Sequence, residues 1–80
     1  MKRTKTEGQD ATFYCFAGGK QRPRTGWTRR DGKPLSRRVV VSGKVLLIRR
    51  VKKEDEGDYM CTARNAYGFE TATSQLIVKG

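Results

Sequence analysis

The sequence of 80 residues contains no histidine and only two cysteines, Cys15 and Cys61. Without histidine, the chain lacks the side chain that most often acts as a general base near neutral pH. None of the serines has a recognisable partner for a catalytic triad, so we expect no enzymatic activity. A structural zinc site needs about four ligands. Two distant cysteines do not supply them, and we therefore expect no metal and no other cofactor.

Long hydrophobic runs are missing as well. The longest aliphatic stretches are VVV at 39–41 and VLLI at 45–48, whereas a transmembrane helix needs about 20 apolar residues. The N-terminal stretch MKRTKTEGQD contains no hydrophobic segment of the kind found in signal peptides. The sequence therefore predicts no insertion into a membrane. We interpret residues 1–80 as a single domain excised from a larger multidomain protein.

Negative charge is scarce. The 18 lysines and arginines outnumber the 8 acidic residues, which gives a formal net charge of +10. So large an excess opposes compact folding through self-repulsion and favours a polyanionic partner. The alternative interpretation is a solvated basic surface within a larger, balanced protein. The candidates for binding a polyanion form clusters, which we expect at two or more separate regions: Lys20, Arg22, Arg24, Arg29, Arg30, Lys33, Arg37, Arg38, Arg49, Arg50, Lys52 and Lys53.

The chain does contain a regular alternation of apolar and polar residues, which Gly, Pro and Asp often interrupt. In the first such run, Ala11, Phe13 and Cys15 fall on one side. An alternation of period two is typical of strands with one buried face. The runs RRVVVS and KVLLIRR, separated by Ser42 and Gly43, predict a hairpin, whereas VKKEDEG predicts a helical turn. Many short strands joined by short turns predict an all-β sandwich or barrel.

One dense motif runs from Asp55 to Gly68 and reads D-x-G-x-Y-x-C-x-A-x-N-x-x-G. With these residues, and with Cys15 and Trp27 upstream, the sequence resembles the I-set class of immunoglobulin domains over nearly its whole length. The resemblance implies an immunoglobulin-like β-sandwich of two antiparallel sheets. Members of the family usually carry further residues before the equivalent of KRTKTEG. The first edge strand is therefore expected to be absent or truncated, which leaves one sheet edge unpaired.

The resemblance also implies roles for individual residues in the scaffold. Cys15 and Cys61 are expected to form a disulfide between the two sheets, with Trp27 packed on it. Leu46 and Ile48 are expected to contribute to the core from one strand. Catalytic and metal-binding roles are not implied for any of these residues.

A second group of implied roles concerns the helical turn and the strand that follows it. Tyr59 is expected to form a tyrosine corner, in which its hydroxyl donates to the backbone a few residues upstream. Asp55 is expected to pair with Arg37 or Arg38, and Gly57 to let the chain turn into the strand.

Outward-facing apolar residues are a further signal. If Phe13 points inward, the neighbouring Tyr14 and Phe16 point outward, and Leu47 points outward by the same alternation. Such an aromatic and aliphatic patch, with basic residues beside it, predicts contact with another protein. The alternative is that a preceding segment or a neighbouring domain covers it.

The function that these features favour is a non-catalytic binding or adhesion module of a cell-surface receptor or matrix protein. Its partners are expected to be heparan sulfate, heparin or an acidic protein, with immunoglobulin or fibronectin-type domains as neighbours in the chain. The alternative is an intracellular cytoskeletal or sarcomeric module, similar to domains of titin or palladin, that binds actin or another muscle protein. Two well-placed cysteines favour the extracellular interpretation, and the absence of an N-x-S/T sequon favours the alternative. Nucleic acid is a weak candidate.

Overall fold

A computed structural model describes residues 2–15 and 24–80 of the chain. The predictions for Phe16, Lys20 and Arg22 therefore lie outside the described residues. A short 3-10 helix, Lys53–Asp55, is the helical turn that the sequence predicts. The strands of the described part are β1 (Lys2–Thr6), β2 (Ala11–Tyr14), β3 (Arg24–Arg29), β4 (Val39–Ser42), β5 (Val45–Ile48), β6 (Gly57–Asn65) and β7 (Gly68–Lys79).

The strands form two sheets, in the orders β1-β7-β6-β3 and β2-β5-β4. The predicted hairpin between β4 and β5 is present, with Ser42 paired with Val45 around a turn in which Gly43 has a φ of 56°. The predicted all-β immunoglobulin-like sandwich is thus confirmed.

The core lies between the two sheets and follows the alternation of the sequence. In the smaller sheet, Phe13 pairs with Leu46 and Ala11 pairs with Ile48, and all four side chains are buried. The ring of Phe13 stacks on that of Tyr59 from the larger sheet, with 5.9 Å between the ring centroids. Strands β2, β3, β5, β6 and β7 therefore each give one face to the core.

The sheet edges are arranged in a way that the alternation does not specify. β1 runs parallel to β7, with Lys2 opposite Gln75 and Thr6 opposite Lys79, whereas the other strand pairs are antiparallel. β1 thereby covers one edge of the larger sheet. In the smaller sheet, β2 pairs with β5 alone among residues 2–15 and 24–80.

The sandwich has two ends, which lie at the two ends of β6. We call them the helical-turn end, at Gly57, and the hairpin end, at Asn65. At the helical-turn end, Arg29 of β3 donates to the carbonyl oxygen of Glu54 (3.0 Å) and to the carboxylate of Asp31 (2.9 Å). These bonds bring the DGKP turn and the 3-10 helix together. At the hairpin end, β6 turns into β7, and Arg24 pairs with Arg64.

Candidate binding surfaces and their scaffold

A disulfide joins Cys15 and Cys61, with 2.11 Å between the sulfur atoms and 5.9 Å between the Cα atoms. Cys15 directly follows β2 and Cys61 lies within β6, so the bond links the two sheets and confirms the predicted disulfide. Trp27 pairs with Cys61 across β3 and β6 and is buried in the same core cluster. The strands that present the candidate surfaces are therefore covalently tied together.

Asp55 organises the helical-turn end from a buried position. Its carboxylate accepts hydrogen bonds from Arg38 Nη2 at 2.7 Å and from the backbone N–H of Lys52 at 2.8 Å. Of the two candidate partners in the sequence, the structure selects Arg38, and Arg37 is exposed. The hydrogen bond from Arg38 to Asp55 is also the main cause that raises the pKa of the guanidinium.

Tyr59 forms the tyrosine corner, because its hydroxyl donates to the carbonyl oxygen of Asp55 at 2.6 Å. Gly57 begins the same strand with a φ of 148°. A Cβ atom at this glycine would lie 3.1 Å from Nη2 of Arg29. The position therefore requires glycine both for its backbone conformation and for the close approach of the arginine.

The variant Tyr59→Phe tests the corner. We expect it to lower the free energy of unfolding by about 1–3 kcal/mol, because the buried carbonyl of Asp55 loses its donor. Burial raises the pKa of Tyr59 above 10. Tyr59 therefore contributes stability that is present below pH 10 and is lost as the pH rises further. The stability of Tyr59→Phe should not show this decline at alkaline pH. Urea unfolding at neutral and alkaline pH measures both effects, and Tyr14→Phe, at a half-exposed site, is the matched control. Equal behaviour of the two variants would contradict the assignment.

Arg29 requires a correction to the predicted polyanion site. Its side chain is 6% exposed, and its guanidinium donates to Asp31 and to the backbone carbonyls of Glu54 and Glu56 at 2.9–3.0 Å. It also lies over the ring of Tyr59, at 5.4 Å from the centroid. Arg29 thus belongs to the scaffold rather than to an accessible surface. Arg29 follows Trp27 by two residues on the same strand. This spacing puts both side chains on the same face, so the burial of Arg29 could have been predicted from the sequence.

Two carboxylates at the helical-turn end are held in their charged form. The backbone N–H of Lys33 is the main cause that lowers the pKa of Asp31, and Arg29 adds to it. The backbone N–H of Val78 is the main cause that lowers the pKa of Glu56. Glu56 also accepts from Lys53 Nζ at 3.2 Å. The side chains of Arg29, Arg38 and Lys53 at this end therefore each form an ion pair with a carboxylate.

Four other basic residues at the same end are exposed and close in the fold, although they belong to two clusters of the sequence. The backbone N–H of Arg49 donates to the carbonyl oxygen of Arg38 at 3.1 Å, so residues 37–38 and 49–50 lie side by side. We call the exposed members of this group the basic cluster: Arg37, Arg49, Arg50 and Lys52. Arg30 and Lys33, also exposed, lie beyond the end of β3 with Asp31 between them.

The hairpin end presents aromatic side chains that the sequence predictions missed. Tyr67 is 83% exposed and Phe69 is 68% exposed. The guanidinium of Arg64 lies 5.8 Å from the ring centroid of Phe69. Arg64 pairs in turn with Arg24, which among the candidates within residues 2–15 and 24–80 is the one at this end. The motif NAYG suggests only a turn, and the placement of Phe69 beside Arg64 depends on the register of the hairpin.

The predicted protein-contact patch lies on the outer face of the smaller sheet. Tyr14 pairs with Val45, and Leu47 pairs with Val40 in the next row. Tyr14 and Val40 are nearly half exposed, whereas Leu47 is partly buried. The structure therefore places Tyr14 and Leu47 on one face, together with two valines.

Family membership follows from comparison with known proteins. Residues 2–78 match the model of the immunoglobulin I-set domain. The chain belongs to the immunoglobulin I-set family. Fasciclin-2 of Schistocerca americana is 41% identical over 80 residues, which cover 90% of this chain and 9% of that protein. Human contactin-2 is 40% identical over 72 residues, which cover 90% of this chain and 7% of that protein.

The solved structures that resemble this I-set domain include a chimeric titin Z1Z2 functionalized with an exogenous peptide from decorin. It has a TM-score of 0.86 and 31% identity, and the match covers 98% of this chain and 85% of that chain. The I-set domain spans less than a tenth of the curated relatives named above. Its relatives are mostly adhesion proteins of the cell surface, and titin is among its structural neighbours.

Two further observations concern the described part of the I-set domain. No helix within residues 2–15 and 24–80 is long and apolar enough to cross a membrane. In these same ranges, no three side chains of histidine, cysteine, aspartate or glutamate lie together as ligands for a metal ion.

Proposed function

We propose that this I-set domain is a non-catalytic binding module of a cell-surface receptor or matrix protein, and that it binds heparan sulfate. The basic cluster at the helical-turn end is the proposed site. The observation that carries the proposal is that two neighbouring segments, joined by the hydrogen bond from Arg49 to Arg38, present four exposed cations: Arg37, Arg49, Arg50 and Lys52. Neighbouring immunoglobulin or fibronectin-type domains of a longer chain are the proposed covalent partners.

The backbone of Arg50 supports this choice. Arg50 has a φ of 49°, in the left-handed region that favours glycine, asparagine and aspartate. Its N–H donates to the carboxylate of Asp10 at 3.0 Å, which fixes this conformation. This backbone conformation therefore favours a small residue at position 50. The long cationic side chain of Arg50 is not needed for the fold, which supports a role in binding.

Charge pairing also favours the basic cluster over the rest of this end. The ion pairs of the helical-turn end engage Arg29, Arg38 and Lys53 with carboxylates. A sulfated glycan can therefore bind fewer of the cations at the helical-turn end than the sequence suggests. Arginine forks bind planar or tetrahedral oxyanions in a bidentate manner, so three arginines and a lysine suit clustered sulfates.

The quadruple variant Arg37→Gln/Arg49→Gln/Arg50→Gln/Lys52→Gln tests the site. At about 0.5 kcal/mol for each exposed ion pair, the loss corresponds to roughly 30-fold weaker binding of a heparin oligosaccharide. Titration calorimetry at low and at physiological salt measures it, and the affinity of the native domain should fall as salt rises.

A second quadruple variant of the same net charge is the control: Lys2→Gln/Lys33→Gln/Lys44→Gln/Lys79→Gln. It removes four exposed cations outside the basic cluster. We expect it to weaken binding by a few-fold only, through the overall field. Equal losses in the two variants would show that the net charge alone attracts heparin, and would remove the proposed site.

A second candidate function is an intracellular cytoskeletal module that binds actin or another muscle protein. The similarity to the titin structure favours it. The two candidates differ in redox compartment, because a disulfide such as Cys15–Cys61 persists in oxidising surroundings and is rare in the cytosol. Mass spectrometry of the native protein after thiol blocking decides between them: alkylated cysteines support the intracellular module, and an intact bond supports the cell surface.

A further inference from the structure

The hairpin end carries a second surface, distinct from the basic cluster. We propose that it docks an acidic segment of a partner protein, in which a carboxylate lies next to an apolar or aromatic side chain. The residues that carry this proposal are Arg24, Arg64, Tyr67 and Phe69. The proposal does not depend on heparan sulfate binding at the opposite end.

The first observation is an arginine pair that folding does not favour. Arg24 and Arg64 stand directly opposite each other on β3 and β6, and both are exposed. Like charges in direct register destabilise a sheet. All eight acidic residues fall within the described chain, and only Glu70 lies near the hairpin, since it pairs with Ala63. One carboxylate beside two guanidinium groups leaves an excess of positive charge, which an anionic partner would complement.

The second observation is the exposure of two large aromatic side chains beside these arginines. Phe69 is paired with Arg64 across β6 and β7, and its ring lies under the guanidinium. Tyr67 lies at the tip of the hairpin, where Asn65 Oδ1 accepts from its backbone N–H at 2.8 Å. The turn is thus ordered by Asn65, whereas the aromatic side chains point to solvent. Aromatic residues and arginine are both enriched at protein interfaces, and tyrosine and arginine are among the residues that contribute most to binding energy there.

The third observation is a recess beside the arginine pair. Gly26 pairs with Thr62, two residues along the strands from the Arg24–Arg64 pair and on the same face of the sheet. A Cβ atom at Gly26 would meet nothing within 4 Å, so the space above the strand is open. The recess has a volume of about 350 Å³, and Arg24, Arg64, Thr28 and Thr62 contribute to its walls. It therefore offers room for a side chain between two cations and two hydroxyl groups.

These observations favour an acidic protein segment over two other occupants. A second copy of this chain carries the same net charge of +10 and would be repelled. A sulfated glycan matches the arginines but makes little use of Tyr67 and Phe69. An acidic segment with an apolar neighbour uses the arginine forks for its carboxylate and the rings for its apolar side chain.

Selection from a random-peptide phage library tests the proposal, with the intact domain as the immobilised target. We expect enriched peptides with Asp or Glu next to Trp, Tyr, Phe or Leu. A synthetic peptide of the enriched sequence should bind the variants Arg24→Gln/Arg64→Gln and Tyr67→Ala/Phe69→Ala roughly 30-fold more weakly or worse. The variant Lys2→Gln/Lys79→Gln, with the same charge change as the arginine variant but outside both proposed surfaces, should weaken binding by no more than a few-fold.

Several outcomes would overturn the proposal. These are enrichment of peptides without acidic residues, equal binding by Arg24→Gln/Arg64→Gln and the native domain, or a dimer in sedimentation equilibrium that Tyr67→Ala/Phe69→Ala abolishes. Loss of heparin binding in Arg24→Gln/Arg64→Gln as large as that in the basic-cluster variant would assign the surface to glycan instead. All four residues are exposed, so neither variant should lower the Tm by more than a few degrees. Arg24→Gln/Arg64→Gln should match or slightly exceed the native Tm, because it removes the like-charge pair. This control separates lost binding from lost folding.

Discussion

Replacing both cysteines, in the variant Cys15→Ala/Cys61→Ala, is expected to lower the free energy of unfolding by about 4 kcal/mol. The disulfide joins residues separated by 46 positions. Closure of so long a loop restricts the unfolded chain, and the folded state gains relative stability. In a domain of this size, each kcal/mol corresponds to about 4–8 °C in Tm, so the loss amounts to roughly 20 °C.

Thermal and urea unfolding of the native and cysteine-free proteins measure this effect. Reduction of the native protein should reproduce most of this loss, because both treatments free the same loop. Both cysteines are buried, and their replacement also leaves small cavities that add to the loss. A decrease below about 1 kcal/mol, on the scale of ordinary single substitutions, would show that the core holds the sheets together without the bond.

Breaking the ion pair between Arg38 and Asp55 should have a comparable effect. In Arg38→Met, the carboxylate of Asp55 remains buried, at 1% exposure, without its cation. Removing one partner of a buried ion pair costs about 3–5 kcal/mol. Urea unfolding measures the loss, and Arg37→Met at the exposed neighbouring position is the matched control, with an expected change within about 0.5 kcal/mol.

A double-mutant cycle separates the ion pair from the packing of the arginine stem. In Arg38→Met/Asp55→Asn, the amide oxygen still accepts from the N–H of Lys52, which donates to the carboxylate at 2.8 Å in the native domain. We therefore expect the double variant to be more stable than Arg38→Met alone. If the two variants are equally unstable, the arginine acts through packing and the ion pair contributes little.

The strand faces and the helical turn could be predicted from the sequence because their signals are local, whereas the disulfide and the tyrosine corner were implied by the family resemblance. The alternation around Phe13 and Cys61 gives the buried faces, and VKKEDEG gives the helical turn. The choice between Arg37 and Arg38 as the partner of Asp55 could not be made, because it depends on where the chain enters β4. The structure settles it with a distance of 2.7 Å for Arg38.

The binding surfaces were less predictable, because they depend on register and on pairing between distant segments. The sequence treats residues 37–38 and 49–50 as separate clusters, and the β4–β5 hairpin brings them together. From the sequence alone, Arg29 is predicted to be an accessible cation. In the structure its guanidinium already donates to three oxygen acceptors and lies over the ring of Tyr59. Phe69 becomes notable only when the hairpin places it beside Arg64.

The parallel pairing of β1 with β7 also determines how the domain responds to force along the chain. A pull on the N-terminal side of Lys2 and on the C-terminal side of Lys79 acts along the strands and in opposite directions. The five residue pairs from Lys2 and Gln75 to Thr6 and Lys79 then share the load in shear. They are not opened one after another, as the pairs of an antiparallel hairpin would be. In an adhesion protein that links cells, this strand pair would bear the tension.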